Sequence, residues 1–340
     1  MAAVAATAPR AAGGLDLGPA QIVRAGEAYL QVPGYSVPSL AFWNGDAIPD
    51  LIVGEGGGGF DGKVRVYLNH GTPGAPQFSD YAYVVSGTAD LVCPPAGCLG
   101  AFPRAAYWDA DPRKDLLVGL SDGTVRLYTN TGSDAAPTFD AGRPLQVGPP
   151  GSKTDIDVGT RAAPIVADWD GDGLKDLVAG GYDGFVRVFL NEGTDAAADF
   201  RAEVFAMKTG GAVYVGYRSS PVFADADGDG LRDLLSGDTE GRIWLFRNVG
   251  TALAPQFDEP VFVTAGGAAI DLTGLARSRP FACDWNADGR LDLLVGAGDG
   301  LVRLYPGLPE PATLLLAAAG LGGVAAGRLR RRLRLCDEAS

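Results

Sequence analysis

The feature that most restricts the fold of this chain is a ten-residue acidic segment that returns five times. It reads "FWNGDAIPDL" from Phe42, "YWDADPRKDL" from Tyr107, "DWDGDGLKDL" from Asp168, "DADGDGLRDL" from Asp225 and "DWNADGRLDL" from Asp284. Successive copies start 65, 61, 57 and 59 residues apart, and so regular a period marks a repeat architecture. Other features keep register with it. A proline precedes each segment by four residues, at Pro38, Pro103, Pro164, Pro221 and Pro280, and an apolar run follows each one.

The apolar runs come in pairs around an acidic-glycine turn, as in "LLVGLSDGTVRLYTN" and "LVAGGYDGFVRVFLN". Asp-Gly between alternating β-branched residues is a strong hairpin signal, because glycine tolerates the positive φ of the tight turn. Four of the repeats then read "NxGT" or "NxGS" and continue into a fourth apolar stretch such as "PQFDEPVFV". Each unit is read as four short strands, the content of one propeller blade.

The last repeat stops after its third strand, at "LVRLYPG". The segment "PAQIVRAGEAYLQVPGYSVPSLAFW" near the N-terminus resembles "EPVFVTAGGAAIDLTGLARSRPFACDW" before the fifth acidic segment, so it is placed to supply the missing strand. A strand borrowed from the opposite end closes the ring and removes exposed edges. The expectation is an all-β fold: a five-bladed β-propeller over residues 20–307, closed by an N-terminal strand, with an open solenoid as the alternative. Residues 1–19 are read as a disordered segment, and residues 308–340 as a tail with a C-terminal hydrophobic helix.

Composition agrees with a turn-rich folded protein. Among 340 residues there are 50 glycines and 23 prolines, yet hydrophobic residues still make up 46%. The net charge is −13, a field that repels nucleic acid and anionic membrane and attracts cations. With 4 cysteines the chain is no disulfide scaffold; only Cys93 and Cys98, in "CPPAGC", are spaced for a bridge.

The acidic segments carry a ligand pattern. In the third repeat Asp168, Asp170 and Asp172 occupy positions 1, 3 and 5, Gly173 permits the turn, Leu174 offers a backbone carbonyl from position 7, and Asp176 stands at position 9. Alternating hard oxygens in this order suit Ca2+. The loop is not an EF-hand, since Ala179 takes the place of the bidentate glutamate and strands flank it. The fourth repeat offers Asp225, Asp227, Asp229, Leu231 and Asp233, and the fifth Asp284, Asn286, Asp288, Arg290 and Asp292. The first two repeats have Phe42 and Tyr107 at position 1, which leaves Asn44, Asp46 and Asp50, and Asp109, Asp111 and Asp115, as weaker sites. Carboxylates so crowded repel one another by about 1–4 kcal/mol per pair at surface-like dielectric, so a bound cation is expected to stabilise the fold.

The DxDxDGxxDL loop between strands, followed by "NxGT" and a Phe-containing strand, resembles the FG-GAP and VCBS repeats of calcium-binding propellers and the cation loops of integrin alpha-subunit propellers. Families with this loop include lectins, adhesins and polysaccharide-active enzymes, so the resemblance implies fold and cation more than activity.

At the other end, Pro309, Glu310 and Pro311 precede an uncharged run from 312 to 327, and then Arg328, Arg330, Arg331, Arg332 and Arg334. This order is similar to a PEP-CTERM sorting signal. The resemblance implies an exosortase-type processing enzyme as partner, transient membrane contact through the tail, and export to the cell envelope or extracellular matrix of a Gram-negative bacterium. Arginines at the end of an apolar span favour the cytoplasmic side, which leaves the propeller outside.

No nucleophile motif, Cys-His pair or phosphate loop appears, and the one histidine, His70, sits at a variable turn position. Trp43, Trp108, Trp169 and Trp285 share position 2 of the loop and read as packing between repeats. Seven residues before the acidic segment, Arg161, Arg218 and Arg277 recur, with Tyr35 at the matching place and Tyr214 and Tyr217 nearby. They outline a basic, aromatic rim for an anionic glycan, with salt bridges between repeats as the competing reading. The functional expectation is an exported, calcium-stabilised, non-catalytic binding or matrix protein whose partner is an extracellular polysaccharide or a surface protein. A polysaccharide-active hydrolase or lyase on the same scaffold is the alternative.

Overall fold

The computed structural model describes residues 14–309, apart from residues 58, 94–99, 110, 273 and 276. Each acidic segment connects an inner strand to a second strand. The inner strands are Val37–Ala41, Phe102–Ala106, Ala163–Ala167, Ser220–Ala224 and Arg279–Cys283, and each packs beside its neighbours around a common axis. Each is the edge of its sheet, so the recurrent proline, which cannot donate to a ladder, is tolerated there.

Covered on both faces, the second strands Asp115–Gly119, Asp176–Gly180, Asp233–Gly237 and Asp292–Gly296 are buried at every residue. This explains why they read as unbroken apolar runs. The hairpin to the third strand turns at Gly123, Gly184, Gly241 and Gly300, all with φ between 75° and 95°, the conformation that selects glycine.

In three repeats the third strand is followed by its own outer strand, giving the antiparallel order inner, second, third, outer, with Arg143–Pro144, Val204–Phe205 and Val261–Phe262 outermost. The first repeat's sheet adds Val92–Cys93 to Ala82–Tyr83 on the outer side of Phe60–Tyr67. In the last repeat the outer strand is Gln21–Ile22, with Gln21 opposite Leu304 and Ile22 opposite Arg303.

The expectation of five blades is corrected. Six sheets have three strands or more, and no helix occurs among the described residues. The segment expected to be helical, residues 312–327, lies outside the described residues, as does Cys98; Cys93 is a buried free thiol. Nor is any described helix long and apolar enough to cross a membrane.

The sixth sheet has a physical cause. After each outer strand the chain makes a small hairpin, such as Gln146–Val147 with Thr154–Asp155. A residue of that hairpin bridges in parallel to a phenylalanine of the next repeat: Ser86 to Phe139, Val147 to Phe200, Lys208 to Phe257. The last of these hairpins, Thr264–Ala265 with Ala268–Ala269, has no such phenylalanine ahead of it. Asp16–Leu17 takes the place, running parallel to Thr264–Ala265 and making a third strand. Leu17 is fully buried, as are Phe139 and Phe257.

The core is a chain of clusters between adjacent sheets. Trp43 meets Phe139 at 5.9 Å between ring centroids, Trp108 meets Phe200 at 6.1 Å, Trp169 meets Phe257 at 6.1 Å and Trp285 meets Phe78 at 5.7 Å. Position 2 of the acidic loop therefore packs against the following repeat. The fourth repeat has Ala226 there, in the same apolar cluster as Leu17, so a small residue stands where the partner is not an aromatic ring.

Candidate functional site

The acidic loops leave the far end of the inner strands, and glycine makes their curvature possible. Gly171 and Gly173 have φ of 75° and 88°, and Gly228 and Gly230 have 78° and 92°. Within each turn a carboxylate oxygen accepts a backbone N–H two residues on: Asp172 N–H to Asp170 Oδ1 at 3.2 Å, then Leu174 N–H to Asp172 Oδ1 at 2.8 Å. The fourth loop repeats this through Asp227, Asp229 and Leu231.

Two loops bring three carboxylates together. One oxygen from each of Asp168, Asp170 and Asp176 lies within 4.8 Å of the others, and the same holds for Asp225, Asp227 and Asp229. Asp168 Oδ1 is buried and has no hydrogen-bond partner, while its Oδ2 accepts the Gly173 N–H at 3.2 Å. A buried, unpartnered oxygen on a carboxylate grouped with two others fits a divalent cation, and the all-oxygen donor set fits a hard one.

The remaining loops differ through residues whose influence the motif does not display. In the fifth, the Arg290 guanidinium reaches back to Asp288 Oδ2 at 2.6 Å, and Asn286 Nδ2 donates to the same oxygen at 3.3 Å. In the second, Arg113 Nε donates to Asp111 Oδ2 at 2.7 Å. Those arginines place a positive charge of the chain's own beside the position-5 carboxylate. In the first loop Asn44 Nδ2 donates to Asp46 Oδ2 at 2.8 Å.

The position-9 aspartates join strands as well as facing the loops. Asp176 accepts the N–H of Trp169 on Oδ2 and that of Asn191 on Oδ1, both at 2.7 Å. Asp50, Asp233 and Asp292 do the same with Trp43 and Asn69, Ala226 and Asn248, and Trp285 and Gly307. Asp115 accepts from Asn130. Burial pushes the carboxyls of Asp115, Asp176 and Asp233 up to about 6, against the opposing pull of these N–H groups. Asp50, Asp225 and Asp292 are raised for the same reason. The asparagine of "NxGT" is part of this device: Asn191 Oδ1 accepts the N–H of Gly193 and of Asp199, both at 3.0 Å.

The arginines lie at the other end of the inner strands, about 17 Å away for five residues at about 3.4 Å each. Arg161, Arg218 and Arg277 have φ of 63°, 61° and 73°, unusual for side chains of their kind. They line one small cavity together with Phe102, Arg279 and three serines. The Tyr35 ring lies beneath Arg277 at 4.2 Å and Arg279 at 4.9 Å, and Tyr182 beneath Arg161 at 4.7 Å and Arg218 at 5.4 Å. Tyr217 stands against Tyr182 at 5.6 Å, and Tyr214 against Phe185 at 5.0 Å. Sequence reasoning missed Tyr182 and Arg279, which lie outside the position used to align the repeats. The same alignment could have found Arg279 beside Pro280.

A family model described as FG-GAP-like repeat matches residues 168–236 and 225–295, spans that contain the third, fourth and fifth acidic loops. Integrin alpha-4 of Xenopus laevis is 26% identical over 189 residues, covering 52% of this chain and 17% of that protein. Among solved structures, the Tc holotoxin pore of Photorhabdus luminescens aligns at TM-score 0.41 and 16% identity, over 86% of this chain and 15% of that one. The chain thus spans less than a fifth of the length of either. It carries FG-GAP-like repeats on an all-β propeller, and the matched spans include both loops where three carboxylates converge.

Proposed function

We propose that this chain is a calcium-stabilised, non-catalytic binding or adhesion module. The observation that carries the reading is the convergence of Asp168, Asp170 and Asp176, with Asp168 Oδ1 buried and unpartnered. A bound ion would supply positive charge at this point. Asp168, Asp170 and Asp176, and in the fourth repeat Asp225, Asp227 and Asp229, would hold it, while Asp176 and Asp233 also tie the loop to the third strand. Arg290 and Arg113 make the fifth and second loops poorer sites, so two ions are proposed where sequence alone counts three. An FG-GAP-like, integrin-like propeller supports a binding or adhesion role at a coarse level.

In this reading the chain is exported to the cell envelope or extracellular matrix, and its partner is an extracellular polysaccharide or a surface protein. Support for export is the tail's order of Pro309, Glu310 and Pro311, apolar run and arginine cluster, which suits an exosortase-type processing enzyme and transient membrane contact.

Thermal melting of the full chain in calcium and in chelator tests the central claim, because a ligand that binds only the native state raises its melting temperature. A rise of several degrees with calcium, abolished in the Asp168→Asn, Asp225→Asn double variant, is the expected result. Identical curves for the native chain in the two buffers would remove the proposal.

A further inference from the structure

We propose that the centre of the propeller, at the end opposite the acidic loops, binds the carboxylate or sulfate groups of an acidic polysaccharide. This deepens the binding reading above and depends on it for the choice of a glycan, not for the site.

The cavity there is lined by Arg161, Arg218, Arg277 and Arg279, contributed by three successive repeats, and no carboxylate is among the described residues that line it. Such a cluster inside a chain of net charge −13 is a local reversal of the protein's field, and it is the place to which an anion is drawn. Arg279 is almost fully buried and donates to the Ser36 carbonyl at 3.3 Å, which fixes its guanidinium at the axis.

Two polar atoms in the lining lack partners. Ser220 is 3% exposed, and its Oγ is buried without a hydrogen bond. Arg218 Nε is likewise buried and unbonded. Buried donors left in this state cost free energy unless something accepts from them. An anionic oxygen answers both, and a guanidinium is the side chain best suited to carboxylate and sulfate geometry.

The cavity holds about 20 Å³, room for a single oxygen-sized atom. One anionic oxygen can enter while the rest of the ligand stays outside. What lies outside is aromatic: Tyr182 is 42% exposed and Tyr217 55% exposed, with ring centroids 5.6 Å apart. Exposed tyrosine faces suit the C–H surface of a sugar ring, and the combination favours an acidic sugar over a free inorganic anion.

The backbone supplies a clean variant. At φ of 61° glycine is more comfortable than arginine, so Arg218→Gly removes the charge without threatening the fold. Titration calorimetry on the full chain would use a hexuronate oligosaccharide, a sulfated hexasaccharide, a neutral hexasaccharide, hexaglutamate and free acetate or sulfate, each in calcium and in chelator. The expected result is binding of one or both acidic sugars, at least tenfold weaker binding of the neutral sugar and the free ions, and weakening with salt. Arg218→Gly should lose at least tenfold in affinity with its melting temperature unchanged or raised, and Ser220→Ala should lose two- to fivefold.

No binding of either acidic sugar, equal binding of the neutral one, or native affinity in Arg218→Gly would overturn the proposal. Equal binding of hexaglutamate would assign the site to a protein and overturn the glycan class. Since melting in calcium tests the acidic loops separately, a lost calcium response with intact Arg218-dependent titration would sink the cation reading alone. Glycan binding that vanishes in chelator but survives Arg218→Gly would sink this one alone.

Discussion

Leu17 faces Gly307 across the seam where the N-terminal strand meets the last repeat, and its side chain is fully buried. Gly18 N–H donates to the Pro306 carbonyl at 2.7 Å, and Gly266 N–H to the Leu17 carbonyl at 2.8 Å, so the residue is pinned from two sides. Its apolar cluster includes Leu245, Val263 and Leu293.

Leu17→Ala should therefore destabilise the protein by about 2–5 kcal/mol, the range for a buried leucine whose site cannot collapse. Chemical denaturation checks this. Removal of residues 14–22 should do more, because it also strips Gln21–Ile22 from Val302–Tyr305 and exposes a strand edge. Light scattering should then report self-association.

The position-9 aspartates predict an unusual pH response without calcium. Asp115, Asp176 and Asp233 sit at about 6 in the folded chain against 3.8 for an ordinary carboxyl. A raised folded value means that the stabilisation is complete below about 3.8 and is lost as pH rises through about 6. On reaching neutral pH each group has given up roughly 2–3 kcal/mol of that stabilisation. In chelator the melting temperature should fall between pH 4 and pH 7, and calcium at pH 7 should restore part of the loss. A flat or rising profile in chelator over that interval would refute the assignment.

How much of this was legible in the sequence depends on how local the interaction is. The Asp-Gly hairpins were, because Gly123 or Gly184 answers to its immediate neighbours. The convergence of Asp168 with Asp170 was too, since loop geometry is set within nine residues. What escaped were contacts between distant segments. Nothing near Asp16 announces Thr264, whose hydroxyl donates to Asp16 Oδ1 at 2.6 Å, so the sixth sheet went unforeseen. The ligand pattern also hid Arg290 and Arg113, because it assigns position 7 a backbone oxygen and ignores what the side chain does. Asp176 was read as a ligand alone, although its bond to Asn191 spans two strands.

That bond gives a third prediction. Asn191 is 2% exposed, and its side chain satisfies the N–H groups of Gly193 and Asp199. Asn191→Ala leaves both without an acceptor in a partly buried turn, at about 1–2 kcal/mol each. Equilibrium unfolding should show a loss of about 2–4 kcal/mol. Glu192→Ala, at a half-exposed neighbouring position, should fall within about 0.5 kcal/mol of the native chain.

The chain's own arginines make the last prediction. Arg290 lies 2.6 Å from Asp288 and is about half exposed, so its pair with that carboxylate is a surface one worth about 0.2–1 kcal/mol. A cation entering the fifth loop must displace that pair and then endure a positive neighbour. Arg290→Gln should therefore raise calcium affinity at this loop by about 1.4- to fivefold, the factor that follows from the same energy range. Arg113→Gln should act in the same direction in the second loop, where Asp111 is released. Calorimetric titration of the native chain should give two stronger calcium sites and a weaker third, and the Arg290→Gln chain should bring that third site closer to the other two. Three equally strong sites in the native chain would show that the guanidinium leaves Asp288 at no cost, and the distinction drawn between the third and fifth loops would fail.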